Sequence, residues 1–251
     1  MLYYKINKMA KTLTQIANSI VFSNGESNGI DKGTIKNSCH GFTKIYDDLL
    51  TPLRKKPILM LEIGVSGGGS LKMWEEYFLD VTIIALDIVD ETSLSNNKTF
   101  VYQLDQSDEI QLQNFVTQCK ENNYEFDFII DDGSHHMRDQ QLTLSYLFPL
   151  LKSKGIYIIE DLHTSLLPNN YPVYGKPIEV LPNRSNTTLN YLAHGTDSIY
   201  ITAEQNKYLN ENIDFINIHN IFNPTIDTWH ESLGVGKPYR GRSITSSIFK
   251  K

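Results

Sequence analysis

Short apolar runs recur through the middle of the chain and alternate with segments whose apolar residues have helical spacing. Four runs are almost wholly apolar, at residues 58–64, 81–88, 126–130 and 155–160, and residues 98–104 form a fifth, weaker run. Continuous apolar runs of this length are typical of strands buried on both faces of a parallel sheet. Because predicted helices separate these runs, the pattern predicts an α/β fold with a mostly parallel, doubly wound sheet.

The helices that accompany these strands are predicted at residues 9–22, 43–53, 71–78, 108–122 and 137–151. Beyond residue 163 the periodicity weakens, and residues 197–203 and 214–220 are predicted to form a closing pair of strands. Residues 164–185 are predicted to form a long proline-containing loop. A loop of that length in a compact domain is usually functional.

Composition excludes several classes of protein. The 251 residues include 23 Lys and Arg against 29 Asp and Glu, and this acidic balance argues against a nucleic-acid-binding protein. The two cysteines, Cys39 and Cys119, do not form a disulfide framework of the kind found in small secreted domains. No apolar run reaches the roughly 20 residues that a membrane span needs, and the N-terminal residues lack the features of a signal peptide. We therefore expect a cytoplasmic protein without a membrane partner.

A glycine-rich turn follows the first predicted strand in the pattern E-x-G-x-x-G-G-G-S, which begins at Glu62 and Gly64. Ser66 stands where a dinucleotide-binding motif has its second glycine, and Gly67 opens the glycine run. Asp87 ends the second strand, where an acid can bond ribose hydroxyls. This pattern fits a nucleoside ligand without phosphates better than a dinucleotide. The alternative is an ordinary glycine turn with Asp87 as a cap.

Two pairs of acidic residues each follow a buried strand: Asp131 with Asp132, and Glu160 with Asp161. If the two strands are neighbours, these carboxylates meet at one edge of the sheet and repel one another unless some stay protonated. No basic residue is close to either pair in sequence, although a distant Lys or Arg could supply the counter-charge. A divalent cation with oxygen ligands, Mg²⁺ above all, is the predicted solution. The alternative is that these acids cap helices.

Two adjacent histidines, His135 and His136, follow the first acid pair, and His163 follows the second. A histidine beside a metal site can accept a proton from a hydroxyl group near neutral pH. One of the adjacent pair could instead be a metal ligand or the first residue of a helix. His163 is a further candidate for lining the pocket.

The segments LEIGVSGGGSLKMW, IALDI, LDQSD, IIDDGSHH and YIIEDLHTS together resemble the S-adenosylmethionine-dependent sugar O-methyltransferases of natural-product pathways. The macrolide and tetracenomycin sugar methyltransferases are the nearest in kind, and cephalosporin-hydroxylase-like methyltransferases are more distant. The upstream segment DKGTIKNSCHGFTKIYDDLL is also similar to this family, so the resemblance covers roughly residues 30 to 167. The occurrence of DDGSH together with ED is the most specific feature of this resemblance.

The resemblance implies a Rossmann-like class I methyltransferase fold in one domain. Residues 1–56 would form a helical lead-in, 57–162 the cofactor-binding core, and 163–251 the substrate loop and C-terminal strands. It implies Mg²⁺ binding by Asp132, Glu160 and Asp161, with His135 as the general base and Asp132 also catalytic. The implied S-adenosylmethionine contacts are Glu62, Gly64, Ser66, Gly67, Asp87, Asp105, Gln106, Ser107 and Asp131. The implied substrate contacts are His136, His163, Tyr171 and Tyr174.

The expected reaction is methyl transfer from S-adenosylmethionine to a sugar hydroxyl. We expect the acceptor to be a nucleotide-linked sugar, such as a heptose or deoxyhexose for surface polysaccharide, or a glycosylated metabolite, and we expect a homodimer. The glycine turn is shorter than in the macrolide enzymes and His136 is an addition to the motif, so the acceptor stays open. A metal-dependent catechol-type O-methyltransferase and a non-catalytic S-adenosylmethionine-binding protein are the alternatives.

Overall fold

The computed structural model describes residues 10–21, 30, 32–33, 40–166, 186–195, 197–222 and 242–251. Its strands are β1 (Pro57–Ile63), β2 (Asp80–Asp87), β3 (Thr99–Gln103), β4 (Phe126–Asp131), β5 (Leu151–Ile159), β6 (Ile213–Phe222) and β7 (Arg242–Lys250). Its helices are α1 (Leu13–Ser19), α2 (Thr43–Leu50), α3 (Gly69–Tyr77), α4 (Glu109–Glu121), α5 (Met137–Leu147), α6 (Thr188–His194) and α7 (Ala203–Asn212). No helix among these residues is long and apolar enough to cross a membrane.

The strands form one sheet in the order β3-β2-β1-β4-β5-β7-β6. The first five strands in this order are parallel, β7 is antiparallel to β5, and β6 is antiparallel to β7. The predicted fold class, a mostly parallel sheet with antiparallel closing strands, is confirmed. The direction of winding reverses between β1 and β4, and ligands of such sheets bind outside the carboxyl ends of the strands at that reversal.

Both faces of the sheet are covered, which explains why the central strands are apolar throughout. Met60 and Phe128 pack on one face with residues of α1, α2 and α3, among them Trp74. Leu61 and Ile129, their neighbours along the strands, pack on the other face with residues of α4 to α7. Successive side chains of a strand point to opposite faces, so most positions of β1 and β4 are buried, including the last four of each strand.

Two predictions about the C-terminal part are corrected. Residues 197–203 do not form a strand, because Thr202 begins α7 instead: its hydroxyl accepts a hydrogen bond from the Gln205 amide, and the Gln205 side chain accepts one from the Thr202 amide. This capping box stabilises a helix start. Residues 214–220 do lie in a strand, β6, but its partner is β7, which the sequence pattern did not predict.

The boundary between α5 and β5 also differs from the prediction of a helix over residues 137–151. The helix α5 ends at Leu147, and Phe148–Leu150 form a short 3-10 turn that contains Pro149. The strand β5 then begins at Leu151, four residues before the predicted start. Most of the predicted loop at 164–185 lies outside the described residues, which stop at Leu166 and resume at Asn186.

Candidate functional site

A cleft of about 240 Å³ lies at the carboxyl ends of the parallel strands, next to the reversal between β1 and β4. The predicted site residues that line it are Gly64, Ser66, Asp87, Asp105, Gln106, Asp132, His135 and Asp161. Those that are described but do not line it are Glu62, Gly67, Ser107, Asp131, Glu160, His136 and His163. Tyr171 and Tyr174 lie outside the described residues.

Gly64 allows the ends of β1 and β4 to meet. Its φ angle is +88°, and a Cβ atom at this position would lie 2.1 Å from the carbonyl oxygen of Asp132. The amide of Asp132 donates a 2.8 Å hydrogen bond to the carbonyl oxygen of Ile63, which ties the two strand ends together. Only glycine fits this close approach. It brings Asp132 to the cleft next to the glycine turn.

Asp87 holds the glycine turn from the end of β2. Its Oδ2 accepts hydrogen bonds from the amides of Val65 at 2.7 Å and Ser66 at 3.3 Å, and its Oδ1 accepts one from Val89 at 2.8 Å. The capping role considered for Asp87 is therefore present, although its side chain also lines the cleft. Gly67 is exposed in the turn, and among the described residues no atom lies within 4 Å of the point that a Cβ atom would occupy there.

Glu62 lies beneath the cleft, where it positions α3. It is fully buried and accepts a 3.1 Å hydrogen bond from the indole Nε1 of Trp74. Burial raises the pKa of Glu62 to about 7, although the charge of Lys32 acts in the opposite direction. A raised pKa is the expected consequence of burying an acid that forms no ion pair with the described residues.

Asp131 and Gln106 form a buried support for the turn that carries the histidines. The Gln106 amide group donates to Asp131 Oδ1 at 3.2 Å and to Thr143 at 3.1 Å, and its Oε1 accepts from the Ser134 amide at 2.7 Å. Burial raises the pKa of Asp131 to about 7, against the lowering effect of the Gln106 hydrogen bond. Ser107 donates its hydroxyl proton to Asp105 Oδ1 at 2.7 Å, which fixes the neighbouring turn.

The two acid pairs come together as predicted, because β4 and β5 are neighbours in the sheet. The distant counter-charge that the sequence left open is Lys32. Its ammonium group donates a short hydrogen bond to Asp132 and lies 3.0 Å from Oε1 of Glu160. Lys32 is itself only 2% exposed. The sequence spacing does not distinguish Lys32 from the rest of the 23 Lys and Arg residues. Lys32 does belong to the upstream segment that is similar to the sugar O-methyltransferases.

Asp161 lies among three histidines. Its Oδ1 is 3.6 Å from Nδ1 of His40 and 3.6 Å from Nδ1 of His163, and its Oδ2 is 3.5 Å from Nε2 of His135. Burial acts to raise the pKa of Asp161, but these three rings together with Lys32 hold that pKa below its usual range. His40, which sequence reasoning missed, comes from the same upstream segment as Lys32.

His135 and His136 are separated by the local backbone. His135 has a φ of +57°, lines the cleft, and points its Nε2 at Asp161 and at Oδ1 of Asp132, 3.9 Å away. His136 begins α5 as its N-cap residue and does not line the cleft. Left-handed backbone outside glycine is uncommon and often marks a functional position. Asp161, with a φ of +55°, is a second case in this site.

The side chains at this edge can hold a cation in two overlapping ways. Asp132, His135 and Asp161 each offer a ligand atom within 4.8 Å of the others, and so do His40, Asp161 and His163. Glu160 adds a buried carboxylate beside the first group, bridged to Asp132 through Lys32. His135 and carboxylates that can hold a cation therefore face the same cleft.

No family model matches the chain. Over 136 residues it is 36% identical to the 8-demethyl-8-(2-methoxy-alpha-L-rhamnosyl)-tetracenomycin-C 3'-O-methyltransferase of Streptomyces olivaceus, which covers 51% of this chain and 34% of that enzyme. Over 171 residues it is 33% identical to the L-olivosyl-oleandolide 3-O-methyltransferase of Streptomyces antibioticus, covering 64% of this chain and 42% of that enzyme. Sugar O-methyltransferases are homologues of this chain. The resemblance expected from the motifs is confirmed, and the matched region spans less than half the length of either relative.

Solved structures show the same fold. MycE, a methyltransferase from the mycinamycin biosynthetic pathway, in complex with Mg, SAH and mycinamycin VI, matches with a TM-score of 0.64 and 24% identity, over 96% of this chain and 55% of that chain. A second MycE structure, with Mg and SAH, matches with a TM-score of 0.58 and 27% identity, over 83% of this chain and 49% of that chain. The sheet is therefore that of an S-adenosylmethionine-dependent methyltransferase.

Proposed function

We propose that this chain carries the catalytic core of an S-adenosylmethionine-dependent O-methyltransferase that acts on a sugar hydroxyl. The observation that carries the proposal is the convergence of His135 with the carboxylates of Asp132 and Asp161 on the cleft of a methyltransferase sheet. The homology to sugar O-methyltransferases supports the reaction class.

The glycine-turn side of the cleft suits S-adenosylmethionine, and MycE is known in complex with SAH. Gly64, Ser66, Asp87, Asp105 and Gln106 line this side. A carboxylate at the end of β2 can accept hydrogen bonds from ribose hydroxyls while its other oxygen holds the turn. Asp131 and Ser107 act one step further back, because they bond to Gln106 and Asp105, which line the cleft. Glu62 bonds instead to Trp74 of α3, which does not line the cleft.

The carboxylates of Asp132, Glu160 and Asp161 have the chemistry that Mg²⁺ prefers, and MycE is known in complex with Mg. The fit of Mg²⁺ to these residues is supported by Lys32, whose ammonium group lies between the carboxylates of Asp132 and Glu160. Its position shows where these carboxylates attract a cation. Asp161 adds an oxygen, Oδ1, that accepts no hydrogen bond from the part of the chain that the structure describes. When bound, Mg²⁺ would lower the pKa of a coordinated hydroxyl, and S-adenosylmethionine would supply the methyl group.

His135 is the proposed general base. Its Nε2 faces the acidic edge of the cleft, so it can accept the hydroxyl proton there, and the carboxylate of Asp161 stabilises the resulting imidazolium. Thr164 donates its hydroxyl proton to the His135 carbonyl oxygen at 3.2 Å, which helps to hold the left-handed turn. The chain's contribution is thus to orient the hydroxyl and to take its proton.

The acceptor is proposed to be a deoxyhexose that is already attached to a larger molecule. The relatives are named for rhamnosyl and olivosyl substrates, in which the sugar is part of a larger molecule. These names support an attached sugar rather than the nucleotide-linked sugar for surface polysaccharide that was expected from the sequence. A catechol is the alternative acceptor, because the cleft also has apolar walls, supplied by Ile63, Leu86, Ile88 and Leu104.

An acceptor screen tests this proposal. The protein is incubated with methyl-labelled S-adenosylmethionine and Mg²⁺ against a rhamnoside panel, nucleotide-linked deoxyhexoses and simple catechols, and products are identified by mass spectrometry. We expect labelled methyl ether on a glycoside. Turnover of catechols alone would contradict the sugar assignment, and S-adenosylmethionine binding without turnover of any acceptor would favour the non-catalytic alternative.

A further inference from the structure

We propose that His40, Asp161 and His163 form a second cation position, suited to a borderline transition cation such as Zn²⁺. We call these three residues the histidine pocket. The proposal goes beyond methyl transfer, because it concerns a site that the reaction does not require.

The spacing of the ligand atoms fits a metal better than it fits hydrogen bonds. Oδ1 of Asp161 lies 3.6 Å from Nδ1 of His40 and 3.6 Å from Nδ1 of His163. These distances exceed the usual range of N–H···O hydrogen bonds. They are close to the edge of a coordination tetrahedron, which is about 3.4 Å long for bonds of about 2.1 Å. All three ligand atoms lie within 4.8 Å of one another.

The pocket is buried and its rings are held in place. His40 is 9% exposed, and Asp161 and His163 are each 4% exposed. The His40 ring is stacked between Phe42, with ring centroids 5.0 Å apart, and His163, with centroids 5.9 Å apart. Oδ1 of Asp161 accepts no hydrogen bond from any residue within the described ranges, which is unusual for a buried carboxylate oxygen.

The hydroxyl of Ser243 lies 2.8 Å from Nδ1 of His40. Cation binding therefore requires Nδ1 of His40 to exchange its bond to Ser243 for the metal. For this exchange the Ser243 side chain must either turn Oγ away from the ring or offer it as a further ligand. The cost is that of one hydrogen bond between neutral groups, which a metal–imidazole bond outweighs.

The donor set predicts which cation binds. Two imidazole nitrogens and one carboxylate suit Zn²⁺ and similar transition cations, whereas Mg²⁺ prefers an all-oxygen set. Three protein ligands also leave a position open for water or another small ligand.

The two cation positions share Asp161, which directs Oδ1 to the histidine pocket and Oδ2 to His135. The carboxylates of Asp132, Glu160 and Asp161 carry three negative charges, and Lys32 supplies one positive charge. Two negative charges remain, which one divalent cation neutralises. We therefore expect Zn²⁺ and Mg²⁺ to compete although their other ligands differ.

Cobalt titration of the metal-free protein tests the pocket without reference to activity. Co²⁺ is the probe because its visible absorption reports nitrogen ligation and a low coordination number. We expect one equivalent to bind, and His40→Gln and His163→Gln each to weaken binding by more than about 100-fold. Asp132→Asn should keep the Co²⁺ spectrum, and so should His194→Gln, which alters an exposed histidine on α6. Loss of the spectrum in Asp132→Asn alone would overturn the proposal.

X-ray absorption of the Zn²⁺-loaded wild-type protein gives an answer even if the pocket variants do not fold. Two imidazole ligands are expected, because the histidine pocket supplies two. One imidazole would indicate the Asp132, His135 and Asp161 group, and none would indicate carboxylates only, so either result contradicts the pocket. These experiments measure metal ligation and not methyl transfer. A negative result would therefore reject the histidine pocket and leave the proposed methyltransferase function standing.

Discussion

Three buried acids near the cleft differ in charge because their surroundings differ. Burial raises the pKa of Glu62 and of Asp131 to about 7, since each has amide or indole donors but neither forms an ion pair within the described part of the chain. Asp161 is equally buried, yet three histidines and Lys32 hold its pKa below the usual range. The chain thus keeps its negative charge at the cation edge and away from the supporting core.

Glu62→Gln tests the raised pKa through stability. The ordinary pKa of a glutamate is 4.5, and the pKa of Glu62 in the folded protein is about 7. Below pH 4.5 the carboxyl is protonated in both the folded and the unfolded state, so its burial costs no charge. As the pH rises through about 7, the unfolded state has already lost this proton and the folded protein loses stability. The variant should therefore match the wild type near pH 5 and be more stable at pH 8, by on the order of 3 kcal/mol. Urea unfolding at both pH values measures this, with Glu121→Gln on the surface of α4 as the control. An equal difference at both pH values would contradict it.

His135→Ala and His136→Ala separate the adjacent histidines. His135 faces the acidic edge of the cleft and His136 begins α5, so only His135 is placed to accept a proton. We expect kcat to fall by about 10²–10⁴ in His135→Ala and by far less in His136→Ala. Steady-state kinetics on the accepted glycoside provides the measurement. A larger loss in His136→Ala would reassign the base.

Lys32→Met leaves Asp132 and Glu160 facing each other without their counter-charge. Removing one partner of a buried ion pair costs about 3–5 kcal/mol, so the chelated variant should be less stable than the chelated wild type by that order. Added Mg²⁺ should restore more stability in the variant than in the wild type, because the cation then has no competitor. Thermal unfolding with and without Mg²⁺ checks this, with exposed Lys44→Met as the control. Equal Mg²⁺ responses would argue against a shared position.

At the scale of elements, the strands that the sequence predicted well are those buried on both faces. Their apolar runs are continuous, so β1, β2, β4 and β5 could be located and their acidic ends placed at one edge. The strand β7 could not, because four of its six buried positions at 243–248 are Ser or Thr, and only Ile244 and Ile248 are apolar. Thr245 satisfies its hydroxyl by donating to the Ile159 carbonyl oxygen at 2.9 Å, a long-range contact that no local pattern reveals.

Prediction of the site residues from the sequence has the same limit. The acids and His135 belong to local motifs at strand ends, and the sequence was sufficient to find them. Lys32 and His40 reach the site from a segment about a hundred residues upstream, and their contacts depend on tertiary structure alone. The cofactor contact of Asp131 stays a prediction, and its burial and its bond to Gln106 are features that the sequence did not reveal.

Gly64→Ala and Gly67→Ala test the junction between β1 and β4. Both glycines have positive φ, but a Cβ atom at Gly64 would overlap the Asp132 carbonyl, whereas one at Gly67 would meet no atom of the described residues within 4 Å. Gly67→Ala should cost only the backbone strain of about 1 kcal/mol, and Gly64→Ala at least about 3 kcal/mol. Chemical denaturation compares the two directly. Equal losses would mean that the strand ends do not meet as described.

At the scale of the whole molecule, the chain has the sheet of a methyltransferase but matches less than half the length of its curated relatives. The five parallel strands, the cleft at the winding reversal and the carboxylates of the cation edge all lie within residues 57–161, which is the region rich in recognisable motifs. The strands β6 and β7 and the side chains of Lys32 and His40 come from outside that region. Selection of the acceptor is expected to depend on segments outside this core, as loops at the carboxyl ends of the strands generally vary with substrate.

The cation dependence of methyl transfer can be measured directly. Labelled methyl transfer from S-adenosylmethionine to the accepted glycoside is followed in chelated protein as Mg²⁺ is added stepwise, for the wild type and for Asp132→Asn. The proposed site predicts no transfer in chelator, recovery of the wild type with Mg²⁺, and no recovery of a folded Asp132→Asn. Full transfer by the wild type in excess chelator would contradict a catalytic cation held by the carboxylates at the ends of β4 and β5.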